Sequence, residues 1–414
     1  MKPIELLIVG AGSRGTVYGE YALAFPEQAR VIGVAEPRAF FRERMAQRHH
    51  ITEHVASHWE QLAALPKCAD AVVIATPDAH HLEPALAFAQ KGYDILLEKP
   101  MAPEAESCRR IVEAAVSAQV IFAVGHVLRY THYTQRLKAL VSSGLIGEIV
   151  SIQHVEPVGY WHYAHSFVRG NWRNEAQASF MLLAKSCHDV DWLRYIMGCR
   201  CVQVSSFGSL QHFKRAAKPV EAGNALRCLD CAYESQCPYS AKAFYLKHLR
   251  QGNTGWPLDV ITEELTEDGV MAVLQNGPYG RCVYECDNDV VDHQVVNLLY
   301  ETGATASFTM IGTSETRHRQ TTIYGTRGEL RGNGERILHY DFLTEALNEF
   351  VTATPAFASD GHGGGDYALM KSFVAAVANR DPGIILSGPL EALETHLTVF
   401  AAERARLEGS VMQV

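Results

Sequence analysis

Three glycines, Gly10, Gly12 and Gly15, stand in the spacing Gly-x-Gly-x-x-Gly between an apolar run, Ile4–Val9, and a helix-compatible stretch that reaches Phe25. In that context the spacing suits a dinucleotide. Gly10 permits a tight turn, Gly12 lets a pyrophosphate approach the main chain, and Gly15 lets the helix pack closely on the strand. The amides opening the helix, around Ser13 and Arg14, then face phosphate oxygens. Glu36 ends the second strand-like run, where a carboxylate accepts from a ribose 2′-hydroxyl and repels a 2′-phosphate. NAD is therefore favoured over NADP, with Arg38 and Arg42 as the groups able to neutralise a 2′-phosphate instead.

Other stretches carry groups for different chemistry. Residues 160–172 read Tyr-Trp-His-Tyr-Ala-His-Ser-Phe-Val-Arg-Gly-Asn-Trp. Aromatic faces such as Trp161 and Trp172 suit the C–H surface of a sugar, and His162, His165 and Arg169 suit its hydroxyls. A packed loop under a cleft is the alternative reading. Gly361-His362-Gly363-Gly364-Gly365-Asp366 opens a late helix and fits a cleft wall or lid, or simply a glycine loop. Cys228-x2-Cys231-x5-Cys237 has spacing compatible with a structural zinc, Cys282 or Cys286 returning as fourth ligand. Ordinary reduced thiols compete with that reading, and the spacing is poor for an iron–sulfur cluster.

The elements that must position these groups fall into two rhythms. Through about residue 126, continuous apolar runs (Ile4–Val9, Ala29–Ala35, Ala69–Ala75, Tyr93–Leu97, Val120–Val124) alternate with helical stretches. Strands buried on both faces by crossover helices form a doubly wound parallel sheet, so residues 1–126 read as a Rossmann domain. From 127 to 414 the pattern changes to helices at Gln135–Ser142 and Leu182–Ile196 and strands with no regular helices between them. This half reads as an α/β domain with an open, largely antiparallel sheet, carrying a cysteine-rich insertion at about 210–285 and closing with helices Asp366–Ala378 and Pro389–Glu408.

Composition narrows the function classes. The 414 residues are 47% hydrophobic and 20% charged, which excludes a disordered chain. A net charge of −9 with no long basic stretch argues against nucleic acid as a partner. No apolar run is long enough to span a bilayer, and the short N-terminal run leads into the glycine loop, so a cytoplasmic protein without membrane attachment is expected.

Further residues fall into a recognisable order: Ala75-Thr76-Pro77-Asp78 with His81, then Glu98-Lys99-Pro100, then Gly125-His126 with Arg129-Tyr130, and later Lys185-Ser186-Cys187-His188-Asp189-Val190-Asp191. With the glycine loop, they resemble the glucose–fructose oxidoreductase / inositol dehydrogenase / rhizopine-catabolism (Gfo/Idh/MocA) superfamily. The resemblance implies a nicotinamide at the cleft between the domains, lined by Thr76, Pro77, His81, Glu98, Lys99 and His126. It places Lys99 beside the substrate hydroxyl; Arg129, Tyr130 and Lys185 are further candidates for contact with an anionic or hydroxyl-rich substrate. It also implies a homo-oligomer, dimer or tetramer, built on the open sheet. Many relatives carry an aspartate four residues before the histidine; here Ala184 stands there, leaving His188 as the acid/base candidate, oriented by a neighbour such as Asp189 or Asp191. An NAD(P)-dependent dehydrogenase of a sugar or cyclitol alcohol is the leading expectation. A glycoside hydrolase working by transient oxidation, elimination, hydration and re-reduction is the second.

Overall fold

The computed structural model describes residues 2–352 and 362–414, so Gly361 of the glycine run lies outside the described residues. The first sheet has six parallel strands, β1 (Ile4–Val9), β2 (Ala29–Ala35), β3 (His54–Ala56), β4 (Ala71–Ile74), β5 (Asp94–Leu97) and β6 (Phe122–Val124), in the order β3-β2-β1-β4-β5-β6. Alternate side chains sort to its two faces. Leu6, Ile8, Val31, Val34 and Leu96 enter one cluster, while Leu7, Val9, Val72, Ile74 and Leu97 enter the other. Helices cover both faces, which is why each strand reads as one apolar run. The order reverses between β1 and β4, the point at which open sheets of this kind form a ligand crevice beyond the carboxyl ends of their strands. Strand β3, three residues long, is too short to show in the apolar pattern.

The second sheet is mixed and mostly antiparallel. It contains β7 (Ile149–Pro157), β8 (Cys201–Ser209), β9 (His293–Tyr300), β10 (Thr305–Ile311), β11 (Gln320–Gly325), β12 (Gly328–Gly332), β13 (Arg336–Asp341), β14 (Leu347–Val351) and β15 (Met412–Gln413). The order is β14-β13-β12-β11-β7-β10-β9-β8-β15, with β7 and β10 the parallel pair. Its inner face buries Ile152, Val204, Val296, Phe308, Ile323 and Leu330 beneath helices Cys187–Met197 and Pro389–Glu408. The other face leaves Phe207 exposed.

Two features bear directly on the site. The helix expected over Leu182–Ile196 is broken into Met181–Ala184 and Cys187–Met197, with Lys185 and Ser186 between them. Helix Gly365–Asn379 also returns to the first sheet, where Leu369, Phe373 and Val377 pack with Leu6 and Ile8. No helix among the described residues is long and apolar enough to cross a membrane.

Candidate active site

The nucleotide loop follows from its glycines. Gly10 has φ of +92°, and a Cβ there would lie 2.5 Å from the Ala75 carbonyl oxygen; a Cβ on Gly15 would lie 1.9 Å from that of Gly10. A side chain at either position would push the loop off the neighbouring strand. Helix Ser13–Ala24 starts from Gly12 with no side-chain cap and no acid in its first turn, which leaves a positive helix terminus for an anion. Glu36, buried at the end of β2, accepts from the Ala11 N–H at 3.0 Å and from Arg38 Nε at 2.8 Å. Burial pushes the Glu36 carboxyl up, but Arg38 and the main-chain N–H groups hold it net below the usual carboxylate range. These residues fit an adenosine ribose and a pyrophosphate.

Beyond β5 the chain turns into the crevice. Glu98 is buried, accepting from Tyr18 Oη at 2.7 Å, Arg14 Nε at 2.5 Å and the Lys99 N–H at 2.7 Å. Arg14 also donates to Asp366, tying the loop to helix Gly365–Asn379. Lys99 Nζ donates to the Ala184 carbonyl oxygen at 2.8 Å. The break after Ala184 explains that contact: a carbonyl at a helix end needs a partner from outside the helix. One turn further on lies His188, whose Nδ1 is buried without a hydrogen-bond partner among the described residues. Burial, then the charges of Lys99, His126, His362 and Arg319, push its ring well below the ordinary histidine value. His188 is therefore a neutral imidazole at physiological pH, competent to accept a proton.

Neither neighbouring carboxylate orients His188 directly. Asp189 is held by Arg319 and by His154 Nε2 at 3.1 Å. Asp191 takes both arms of Arg129, at 2.7 Å each. A charged floor lies alongside, where Lys185 Nζ approaches Glu156 Oε1 at 3.3 Å and Arg319 Nε approaches Glu156 Oε2 at 3.1 Å. Burial lowers Lys185 from the ordinary lysine value despite Glu156. Burial, then the charges of Lys185, His165, His362 and Lys99, pushes the His162 ring well below the ordinary histidine value, and the ring packs 5.7 Å from Trp161 and 5.0 Å from Trp256. His362 Nδ1 bonds Asp366 at 2.8 Å, and its ring centre is 6.1 Å from that of His188. Asp78, raised by burial against the pull of His81 and Lys99, belongs to the same neighbourhood.

Several expected site residues are placed elsewhere. His81 is fully buried, its ring between the carbonyl oxygens of Pro100 at 2.9 Å and Thr76 at 2.8 Å, and it braces the loop from behind. Thr76 and Pro77, by contrast, stay at the carboxyl end of β4 against the glycine loop, where a Cβ on Gly10 would lie 2.8 Å from the Thr76 nitrogen; the Thr76 hydroxyl donates to the His80 carbonyl at 3.0 Å. His126 is sealed in, 3.6 Å from Asp191, with burial pushing it to about 3. Arg129, expected at the substrate, is fully buried and saturated by Asp191, Glu391 and the Leu386 carbonyl; desolvating that cation is tolerable only with those acceptors. The Tyr130 hydroxyl likewise takes the N–H groups of Leu386 and Ser387. Most of the 160–172 stretch serves as a docking face. Trp161 stacks on Phe244 at 5.0 Å, His165 bonds Tyr245 Oη at 2.6 Å, and Trp172 lies 40% exposed near Phe167. Arg169 points into the insertion, to the carbonyls of Arg281 and Tyr239.

Cys228, Cys231, Cys237 and Cys282 line one cavity, but no group of three His, Cys, Asp or Glu among the described residues stands in metal-holding geometry. Glu156 and Arg319 were not anticipated. For Glu156 a signal existed: it lies in phase with buried Ile152 and His154 along β7, and polar residues on the inward face of a strand ask for a reason. Arg319 had no such signal.

Residues 4–126 match the NAD-binding Rossmann-fold domain of the Gfo/Idh/MocA oxidoreductase family, and residues 138–414 match that family's C-terminal α/β domain. YteT of Bacillus subtilis is 22% identical over 81% of this chain and 79% of its own length. The 2,7-anhydro-N-acetylneuraminate hydratase of Mediterraneibacter gnavus is 26% identical over 50% of this chain, which spans 53% of that protein. Inositol 2-dehydrogenase of Streptomyces avermitilis is 31% identical over 47% of this chain and 53% of its own. Among solved structures, levoglucosan dehydrogenase in complex with NADH and levoglucosan superposes with a TM-score of 0.71 at 18% identity, covering 100% of this chain and 99% of that one.

Proposed function

The chain belongs to the Gfo/Idh/MocA family of NAD-binding oxidoreductases, and on that premise we propose that it moves hydride between NAD and a secondary alcohol of a sugar, cyclitol or derivative, using Lys99 and His188. One observation carries the assignment of roles. Lys99, just beyond β5, is braced on the carbonyl of Ala184, and one helical turn after that carbonyl stands the buried His188 ring, whose Nδ1 has no hydrogen-bond partner among the described residues.

A bound nicotinamide supplies the hydride acceptor. The protein's own part is proton handling and placement. The Lys99 ammonium donates to the substrate hydroxyl oxygen and stabilises the alkoxide that develops there. His188 takes the hydroxyl proton as the C–H bond gives up its hydride, leaving a carbonyl; the reverse reaction returns the proton. Lys185, Glu156 and His162 supply donors and acceptors to the other hydroxyls. Glu36 selects NAD, its negative charge standing where a 2′-phosphate would have to lie. The exposed face of the second sheet, with Phe207, supports a homo-oligomer.

A redox-neutral variant of this chemistry is the second reading, favoured by the likeness to the anhydroneuraminate hydratase. Oxidation, elimination, hydration and re-reduction would leave the cofactor unchanged over each cycle. One panel separates the two. Sugars, cyclitols and glycosides are incubated with NAD or NADP, recording reduced nicotinamide and released aglycone independently. Reduced cofactor rising one-for-one with ketone, faster with NAD, is expected; aglycone released in excess of cofactor with no absorbance rise overturns the dehydrogenase in favour of the second reading.

A further inference from the structure

His126 is a buried titratable group that proton transfer to His188 leaves unused. On the premise that His188 is the acid/base group of the proposed reaction, we infer that His126 is a positioning residue linking the His188 ring to the Asp191 carboxylate. Helix Cys187–Met197 carries His188 and Asp191 three residues apart, so the two stand on one face. The chain leaving β6 runs beside the end of β5, with the Gly125 N–H on the Leu97 carbonyl at 2.8 Å, and sets His126 against that face. His126 Nε2 lies 3.6 Å from Asp191 Oδ1. The His126 ring centre is 5.9 Å from that of His188, at an interplanar angle of 73°. All three side chains are buried.

Buried polar atoms are nearly always paired, so a group of unpaired ones calls for a reason. Neither nitrogen of His126 makes a hydrogen bond among the described residues, and Nδ1 of His188 makes none either. The remaining neighbour, His396, cannot take up that capacity. Its ring centre is 5.6 Å from that of His126, but its nitrogens are spent on the Met101 N–H at 3.0 Å and the Ala392 carbonyl at 2.7 Å. Asp191 and His188 are therefore the outlets left to His126. Burial pushes the Asp191 carboxyl up, but Arg129 and then His126 hold it net below the usual carboxylate range. Thr395 Oγ1 also donates to it, at 3.1 Å.

An ionised carboxylate accepts and cannot donate, and that fixes the direction of the whole chain. His126 turns Nε2–H to Asp191 and keeps a bare Nδ1. His188 then turns Nδ1–H toward that nitrogen and keeps a bare Nε2 for the substrate hydroxyl. One buried water spans the two rings, accepting from His188 Nδ1–H and donating to His126 Nδ1. Burial pushes His126 to about 3 against the pull of Asp191, so the ring stays neutral and transmits orientation without taking up a proton.

The test is tautomer-resolved NMR of the full chain labelled in its histidine nitrogens, at neutral pH without cofactor or substrate. His188 is assigned by the signals that His188→Gln lacks. In the wild-type chain it should be the Nδ1–H form, whereas an unguided imidazole in water favours Nε2–H. His126→Phe keeps a ring in place without nitrogens and should lose that preference. His126→Gln, with an amide N–H for Asp191 and a carbonyl for His188, should restore it. A His126 that only fills space predicts no change in His126→Phe. Nε2–H at His188 in the wild-type chain, an unchanged tautomer in His126→Phe, or no restoration in His126→Gln would each overturn the inference. If His126→Phe fails to fold, the wild-type tautomer and His126→Gln still decide. No substrate enters the measurement, so a failed hydride-transfer assay leaves its outcome standing.

Discussion

Ala184 offers the site a carbonyl and no side-chain chemistry. A side chain that cannot donate or accept a proton sits one turn before His188, yet its main-chain oxygen holds Lys99 Nζ at 2.8 Å. Lysine orientation thus depends on the helix break and tolerates what stands at 184. Lys99→Ala should lower kcat by about 100-fold or more, the usual scale for a general acid/base, with the NAD dissociation constant changed by less than about threefold. Stopped-flow turnover and cofactor fluorescence titration read the two quantities. Unchanged kcat would remove Lys99 from the chemistry. His188→Gln should behave similarly. Because the His188 ring lies well below the ordinary histidine value, loss of kcat/KM on acidification should begin well below pH 6.5 in the wild-type enzyme. An acid limb centred on pH 6.5 would point to a different base.

Between residue and molecule stand the ties that hold elements in register. Arg129 leaves the turn before helix His132–Ser142 and grips Asp191 on helix Cys187–Met197 with two bonds, then reaches Leu386 and Glu391. Both partners of the Asp191 pair are fully buried, so removing one leaves an uncompensated charge. Arg129→Met should cost about 3–5 kcal/mol of stability, read from urea unfolding, while KM for the substrate stays within about twofold in the folded fraction. A large KM increase without loss of stability would return Arg129 to the substrate. Arg14 plays a looser form of the same part, linking the glycine loop to Glu98 and Asp366 and so coupling nucleotide loop, β5 and the returning helix.

At the scale of the molecule, buried histidines set a pH dependence. Burial pushes His126 and His165 to about 3 and His396 to about 4, against 6.5 for a free ring. Below pH 6.5 the unfolded chain takes up protons that the folded chain refuses until pH 3–4, so stability falls as the pH is lowered through that window and gains nothing from these rings above it. Each ring contributes up to about 1.4 kcal/mol per pH unit within the window. Urea midpoints should therefore drop between pH 7 and pH 5, by a loss on the order of several kcal/mol. The depressed carboxylates Asp189 and Asp366 act in the same direction but only below about 3.8, so they do not account for this range. A flat profile from pH 7 to pH 5 would mean that these rings protonate inside the fold.

The sequence by itself determined the parallel sheet, the nucleotide loop and the family. Those depend on local patterns, namely continuous apolar strands and glycines whose missing side chains are required within a few residues of one another. Glu98-Lys99-Pro100 and His188 were legible as candidates through the resemblance to the family, whose motifs they match in order along the chain. What only the tertiary structure decided was which polar groups face the cleft. Arg129, Tyr130, His165 and Arg169 have the chemistry of a sugar site, but partners up to 262 residues away consume their hydrogen-bonding capacity. Glu156 and Arg319 became site residues because β7 and the segment before β11 meet across the sheet, next to Lys185. A side chain's type is a local property, whereas the groups that satisfy it and the direction it faces depend on the packing of distant segments.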